Sequence, residues 1–133
     1  MREHNKEYRL IAQRRIRSEP QLSFIQDYGI KVAYLSCDKP KNTNHKKVLA
    51  DCMKVPEQWR WTCKYDFVIT VYEPNCTFLS EEQKDILVFH ELMHIGVDED
   101  GDEPKFYVKP HDVEEFNEII NRYGLYWDEV GDN

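Results

Sequence analysis

The sequence of 133 residues lacks the features that mark membrane proteins, secreted proteins and zinc ribbons. No stretch approaches the roughly 20 consecutive apolar residues of a membrane span. The first twenty residues are too highly charged to form the apolar centre of a secretory signal. The four cysteines, Cys37, Cys52, Cys63 and Cys76, include no CxxC pair that would indicate a zinc ribbon or a redox motif. We therefore expect a cytoplasmic chain whose thiols are reduced.

The length and the 41% hydrophobic content predict a compact domain with a core of its own. The sequence contains no internal repeat, no low-complexity tract and no linker long enough to separate two domains. We predict an N-terminal charged helix or arm over residues 1–20, followed by a single domain over residues 21–133.

Charge is distributed unevenly along the chain. Residues 1–64 carry 14 Lys and Arg against 7 Asp and Glu, whereas residues 65–133 carry 4 against 18. The basic residues concentrate in the segments Arg9–Arg17 and Lys39–Lys47, either of which could contact nucleic acid. The alternative is a solvated helix face and a polar loop. The lack of interleaved aromatic residues and of a DNA-reading motif favours this alternative.

Hydrophobic spacing predicts a mixture of helices and strands. Period-3.6 patterns predict helices over residues 5–17, 20–28, 81–95 and 112–123. Short apolar runs predict strands over residues 30–37, 46–55 and 65–74, with a further extended piece at 105–110. The helix that starts after Ser80 has the clearest beginning, because Ser80 and Gln83 can form a capping box. Gly96 is placed to end this helix.

The segment HELMH, which contains His90, Glu91 and His94, lies inside that predicted helix. Histidines at positions i and i+4 project from one helix face, so both imidazoles can bind one zinc ion at about 2.0–2.1 Å. Glu91 would lie beside the metal, where it can act as general base and then general acid toward zinc-activated water. The apolar residues around HELMH indicate a buried helix, which disfavours two surface histidines as the explanation.

A catalytic zinc usually has three protein ligands, and the metzincin extension HExxHxxGxxH is absent. His111, 17 residues beyond His94, is the leading candidate for the third ligand. Glu114, in the first turn of the predicted last helix, is the second candidate. A site in which neither residue binds the metal also remains open.

Several segments resemble the putative phage metallopeptidase family. They are YLSCDKPK, DCMKVP, YDFVITVYEPN, LVFHELMHIG and KPHDVEEFNEIINRYGLYW, and they leave only about the first twenty residues outside the resemblance. The chain is more distantly similar to the SprT-like metalloproteases, through HExxH followed by a histidine and a phenylalanine at the head of a later helix. That similarity implies His111 as the third zinc ligand. The family resemblance implies a phage or prophage origin and a bacterial host cell.

We therefore expect an α+β, minimal zincin-like domain. A small mixed or antiparallel sheet of about three strands would pack on the HExxH helix and on a C-terminal helix. The expected function is zinc-dependent hydrolysis of peptide bonds in a protein or peptide substrate, with no membrane partner. The strand at residues 65–74 would offer its edge to an extended peptide. The competing hypotheses are a non-catalytic zinc-stabilised binding module and a hydrolase whose target is bound to nucleic acid.

Overall fold

A computed structural model describes residues 1–59 and 61–110, and within these residues the chain forms three α-helices and eight short strands. The helices are α1 (Lys6–Ser18), α2 (Ser23–Asp27) and α3 (Glu81–Leu92). The strands are β1 (Arg2–His4), β2 (Val32–Cys37), β3 (Asn42–Thr43), β4 (Lys46–Lys47), β5 (Ala50–Lys54), β6 (Phe67–Tyr72), β7 (Ile95–Asp98) and β8 (Lys105–Val108). The predicted α+β fold is confirmed. The helix predicted over residues 112–123 lies outside the described residues.

Four of the strands form one mixed sheet in the order β1-β2-β6-β5. β2 and β6 run parallel, whereas β1 is antiparallel to β2 and β5 is antiparallel to β6. The sheet therefore has one strand more than the three expected. The additional strand, β1, is fully exposed and has no apolar alternation, so only its pairing with β2 defines it.

β6 is an inner strand, which corrects the prediction that it offers an edge to a peptide. Its residues pair with β2 on one side and with β5 on the other. Five of its six side chains are buried, as expected for a strand with a neighbour on each side. The two end strands of this sheet are β1 and β5, and β5 packs beside α3.

The hydrophobic core covers one face of this sheet. Tyr34, Ile69 and Cys52 form a row across β2, β6 and β5 on that face. α1 packs over β2, α3 packs near β5, and the two helices pack against each other. The core cluster takes side chains from both helices and from the sheet.

α1 follows the sequence prediction closely. The Asn5 side chain accepts a hydrogen bond from the Tyr8 amide at 3.0 Å and so caps the helix. Its buried stripe consists of Tyr8, Ile11, Ala12 and Ile16. With 13 residues it is the longest helix of the described chain, and no described helix is long and apolar enough to cross a membrane.

α3 begins at the predicted capping box and ends earlier than predicted. The Gln83 amide donates to the Ser80 hydroxyl at 3.2 Å, and the Ser80 amide donates to the Gln83 side chain at 2.9 Å. The helix ends at Leu92, because Ile95 and the residues after it pair as a strand with β8. Strand pairing, and not Gly96, therefore terminates this helix.

β7 and β8 form a hairpin around the acidic loop. Gly96 pairs with Tyr107, and the Tyr107 ring covers the space that a side chain would occupy at Gly96. On β8, Phe106 packs against Phe67 of the sheet, with 6.1 Å between the ring centroids. This contact anchors the hairpin to the core.

The basic segment Lys39–Lys47 contains a second hairpin, formed by β3 and β4. Asn44 and His45 have positive φ angles of 52° and 64°, the conformation of a tight two-residue turn. The strand predicted over residues 46–55 is therefore divided into β4 and β5.

Candidate metal centre

The end of α3 brings three potential metal-binding side chains together. The ligand atoms of His90, Glu91 and His94 all lie within 4.8 Å of one another. Nε2 of His90 is 3.8 Å from Oε2 of Glu91, and the two histidine rings have centroids 5.1 Å apart. His90 and Glu91 are only 7% and 4% exposed, so both polar side chains are buried beside the core.

His94 reaches this cluster from a turn and not from the helix itself. Its amide donates to the carbonyl of Glu91 at 3.1 Å, three residues back, which is the hydrogen bond of a 3₁₀ turn. The prediction that one continuous helix carries both histidines is therefore wrong, because the helix ends before His94. The tightened turn nevertheless keeps the His94 ring beside that of His90.

The main chain of Lys109 fixes the His94 side chain. Nδ1 of His94 lies 2.6 Å from the Lys109 carbonyl oxygen, and the Lys109 amide donates to the His94 carbonyl at 2.6 Å. A carbonyl oxygen only accepts hydrogen bonds, so Nδ1 carries the proton. Nε2 is then the unprotonated nitrogen, whose lone pair can bind a metal.

β5 places Cys52 close to the same cluster. Burial raises the pKa of the Cys52 thiol, and the nearby negative charge of Glu91 raises it further. Without a metal ion, Cys52 is thus a neutral neighbour of Glu91. Neither Cys52 nor Lys109 was identified from the sequence, because each reaches the site through strand pairing between distant segments.

The donor set fits a zinc ion better than a hard cation. Two imidazole nitrogens beside one carboxylate are typical of zinc and similar transition metals. Calcium and magnesium sites are built almost entirely from oxygen ligands, and this cluster supplies only the carboxylate of Glu91. The predicted residues His90, Glu91 and His94 are therefore brought together, whereas His111 and Glu114 lie outside the described residues.

The chain matches the family model described as putative phage metallopeptidase over residues 1–132. The match includes the first twenty residues, which the resemblance seen in the sequence had left outside. Among curated proteins and among solved structures, none matches the chain significantly.

Proposed function

Because the chain belongs to the putative phage metallopeptidase family, we propose that it is a zinc-dependent peptidase that hydrolyses peptide bonds. The observation that carries this proposal is the cluster of His90, Glu91 and His94 at the buried end of α3. A phage or prophage origin follows from the family, and the proposed place of action is the cytoplasm of the bacterial host.

His90 and His94 would hold the zinc ion together with His111. The hydrogen bond to Lys109 supports this role for His94, because it places the ring proton on Nδ1 and so makes Nε2 the nitrogen that can bind a metal. His111 follows Lys109 by only two residues in the sequence. Glu114 is the alternative third ligand. When bound, zinc would polarise the scissile carbonyl group and make water acidic enough to attack at neutral pH.

Glu91 would move the proton in the reaction. As a carboxylate it accepts a proton from the attacking water, and it then delivers this proton to the leaving amine. The carboxyl group is 4% exposed and stands next to His90, so the proton transfer would occur away from bulk solvent. Low exposure also strengthens the charge interactions that stabilise the transition state.

An extended peptide would bind along β5. This strand ends the four-stranded sheet, and it packs beside the helix that carries His90 and Glu91. An added strand would donate and accept main-chain hydrogen bonds at the outer edge of β5. The scissile bond would thereby be aligned past the metal centre without a requirement for one particular side chain.

Peptide hydrolysis by wild type and by Glu91→Gln tests this function. The protein is purified without a metal-affinity tag and assayed on a mixture of fluorescence-quenched peptides. We expect chelation to abolish cleavage and zinc to restore it, and we expect Glu91→Gln to cleave at least about 100-fold more slowly. Glu82→Gln, an exposed position on the same helix, serves as the matched control and should cleave like wild type.

Two outcomes would contradict the proposal. Cleavage that survives chelation would show that the metal is not required. Zinc-loaded wild type that cleaves no peptide of the mixture would indicate a non-catalytic zinc-stabilised module.

A further inference from the structure

The basic residues of α1 fall into two groups with different surroundings. Arg15 forms an ion pair with Asp85 of α3 and a second one with Glu19 at 3.1 Å. Arg14 lies 3.9 Å from the other oxygen of Asp85. A cavity of about 800 Å³ is lined here by three arginines and four carboxylates, so its positive charges are balanced; these residues are Arg14, Arg15, Arg17, Glu7, Glu81, Glu82 and Asp85.

A second, open groove along α1 has no acidic residue in its lining and shares only Arg17 with the first cavity. This groove, of about 570 Å³, lies between α1, the end of α2 and the start of β2. Its polar lining consists of Arg9, Gln13, Arg17, Gln26 and Lys31. The apolar lining includes three isoleucines and Tyr34, and no carboxylate lines the groove.

A smaller cavity of about 200 Å³ continues this groove past Arg9. Both cavities are bordered by Arg9, Val32 and Tyr34, and the smaller one adds Lys6, His4 and Tyr65. The rings of His4 and Tyr65 are paired, with centroids 5.7 Å apart. We name the two cavities together the basic groove.

The cations of the basic groove are available for a ligand. Lys6, Arg9, Arg17 and Lys31 are exposed, and their side chains form no ion pair with any residue of the described chain. Arg9, Gln13 and Arg17 repeat every four residues, so they extend as a line of about 12 Å along the helix. Gln13 is neutral, but Arg9 and Arg17, together with Lys6 and Lys31 elsewhere in the groove, spread positive charge over a length that fits a linear polyanion better than one compact anion.

We propose that the basic groove binds single-stranded nucleic acid. The combination of a cationic groove with aromatic rings at one end is how proteins hold single strands, since phosphates follow the cations and bases stack on the rings. The rings of His4 and Tyr65 supply an aromatic component, although no aromatic residues are interleaved within the basic segments of the sequence. Their proximity to Arg9 arises only from the fold, because β1 brings the N-terminus beside β2.

The second basic segment, Lys39–Lys47, does not contribute to the basic groove. The groove adjoins the start of β2, whereas this segment follows its end, about 20 Å away along the strand. Lys41 is moreover paired with Asp51 at 2.7 Å. The metal centre is also separate, because α3 lies toward β5 and the groove lies along β2.

Fluorescence anisotropy with a labelled 15-nucleotide oligothymidylate tests this proposal on the full chain. We expect the affinity to fall with salt, with a slope of about −3 in log–log form if four cations contact phosphates. The double variant Arg9→Gln/Arg17→Gln should bind about tenfold or more weakly and should reduce the slope to about −1.5. The matched control Arg14→Gln/Lys47→Gln removes two charges outside the groove and should bind like wild type.

Several results would overturn the proposal. The first is that wild type does not bind the oligonucleotide, and the second is that the control variant weakens binding as much as the double variant does. The others are that wild type binds duplex DNA more tightly than the oligonucleotide, or binds polyglutamate as tightly. Thermal denaturation verifies that each variant is folded. If the double variant is unfolded, Lys31→Gln in the exposed loop before β2 replaces it, with an expected slope smaller by about 0.7. Because no peptidase activity is measured, failure here is distinguishable from failure of the proposed peptidase function.

Discussion

The main chain of Lys109 holds His94 at two points. The Lys109 carbonyl accepts from Nδ1 of His94 at 2.6 Å, and the Lys109 amide donates to the His94 carbonyl at 2.6 Å. The main-chain bond extends the pairing of β7 with β8 by one step beyond Ile95 and Val108, and the side-chain bond then ties the His94 ring to the same residue. The register of a small hairpin therefore sets the orientation of a histidine that we propose as a metal ligand.

Substitution of Gly96 tests this dependence. A Cβ atom at Gly96 would lie 2.6 Å from Cζ of Tyr107 and 2.9 Å from Cγ of Lys109, so the side chains of these two residues must move. We expect Gly96→Ala to weaken zinc binding at least about tenfold, the usual effect of disturbing a group that orients a metal ligand. Competition with a chromophoric chelator measures the affinity. Gly101→Ala is the control, because its Cβ would meet no atom closer than 3.7 Å. Equal zinc affinity in both variants would contradict the role given to the hairpin.

The third ligand is tested by a pair of variants. If His111 binds the zinc, His111→Ala should lower zinc affinity by several orders of magnitude, because a site with three protein ligands loses one of them. Glu114→Gln should then leave the affinity near that of wild type. The same chelator competition measures both. The reverse order of effects would assign the ligand to Glu114.

Arg15 should be the most important cation for stability in α1. Its side chain is 14% exposed, pairs with Asp85 and Glu19, and lies over the Phe89 ring at 4.6 Å. We expect Arg15→Ala to lower the free energy of unfolding by about 2 kcal/mol, because it leaves partly buried carboxylates without this partner. The Arg14 side chain is 65% exposed, so Arg14→Ala should lower the free energy of unfolding by less than about 0.5 kcal/mol. Urea denaturation compares the two variants, and equal losses would show that the Arg15 pairs do not connect α1 to α3 strongly.

Stability should fall in alkaline solution because of Cys76. Burial, with a further contribution from Glu73, raises the pKa of this thiol to about 12. The unfolded chain releases the proton near pH 9, so the folded state binds more protons between about pH 9 and 12 and becomes less stable as the pH rises. One such thiol removes about 1.4 kcal/mol by pH 10. Urea denaturation at pH 8 and pH 10 measures the loss of unfolding free energy between the two pH values. This loss should be smaller by about 1.4 kcal/mol in Cys76→Ala than in the control Cys63→Ala. An equal dependence in both variants would exclude this contribution.

The sequence predicted those parts of the fold that local patterns determine. The helical periodicity of residues 5–17 and the capping box at Ser80 are encoded within a few residues, and each corresponds to a helix in the structure. The HELMH segment likewise identified His90, Glu91 and His94 as one cluster.

The errors concern pairing between distant segments. β1 has three exposed residues and exists only because it pairs with β2, so no local pattern reveals it. The position of β6 inside the sheet depends on the strand order, and the apolar content of β6 does not reveal that order. The early end of α3 has the same cause, since Ile95 pairs with β8 as part of a strand. Lys109 was missed because it acts through main-chain atoms, which every residue has.

Zinc content is the most direct test of the central claim that His90 and His94 bind a metal while Glu91 serves as the base. Native mass spectrometry is applied to wild type, His90→Ala, His94→Ala and Glu91→Gln after identical exposure to zinc. The control is His45→Asn, which changes an exposed histidine in the β3–β4 turn to a residue that tolerates positive φ. We expect about one zinc per chain in wild type, Glu91→Gln and the control, and little in the two histidine variants. Wild type without zinc, or full zinc content in His90→Ala and His94→Ala, would contradict the account.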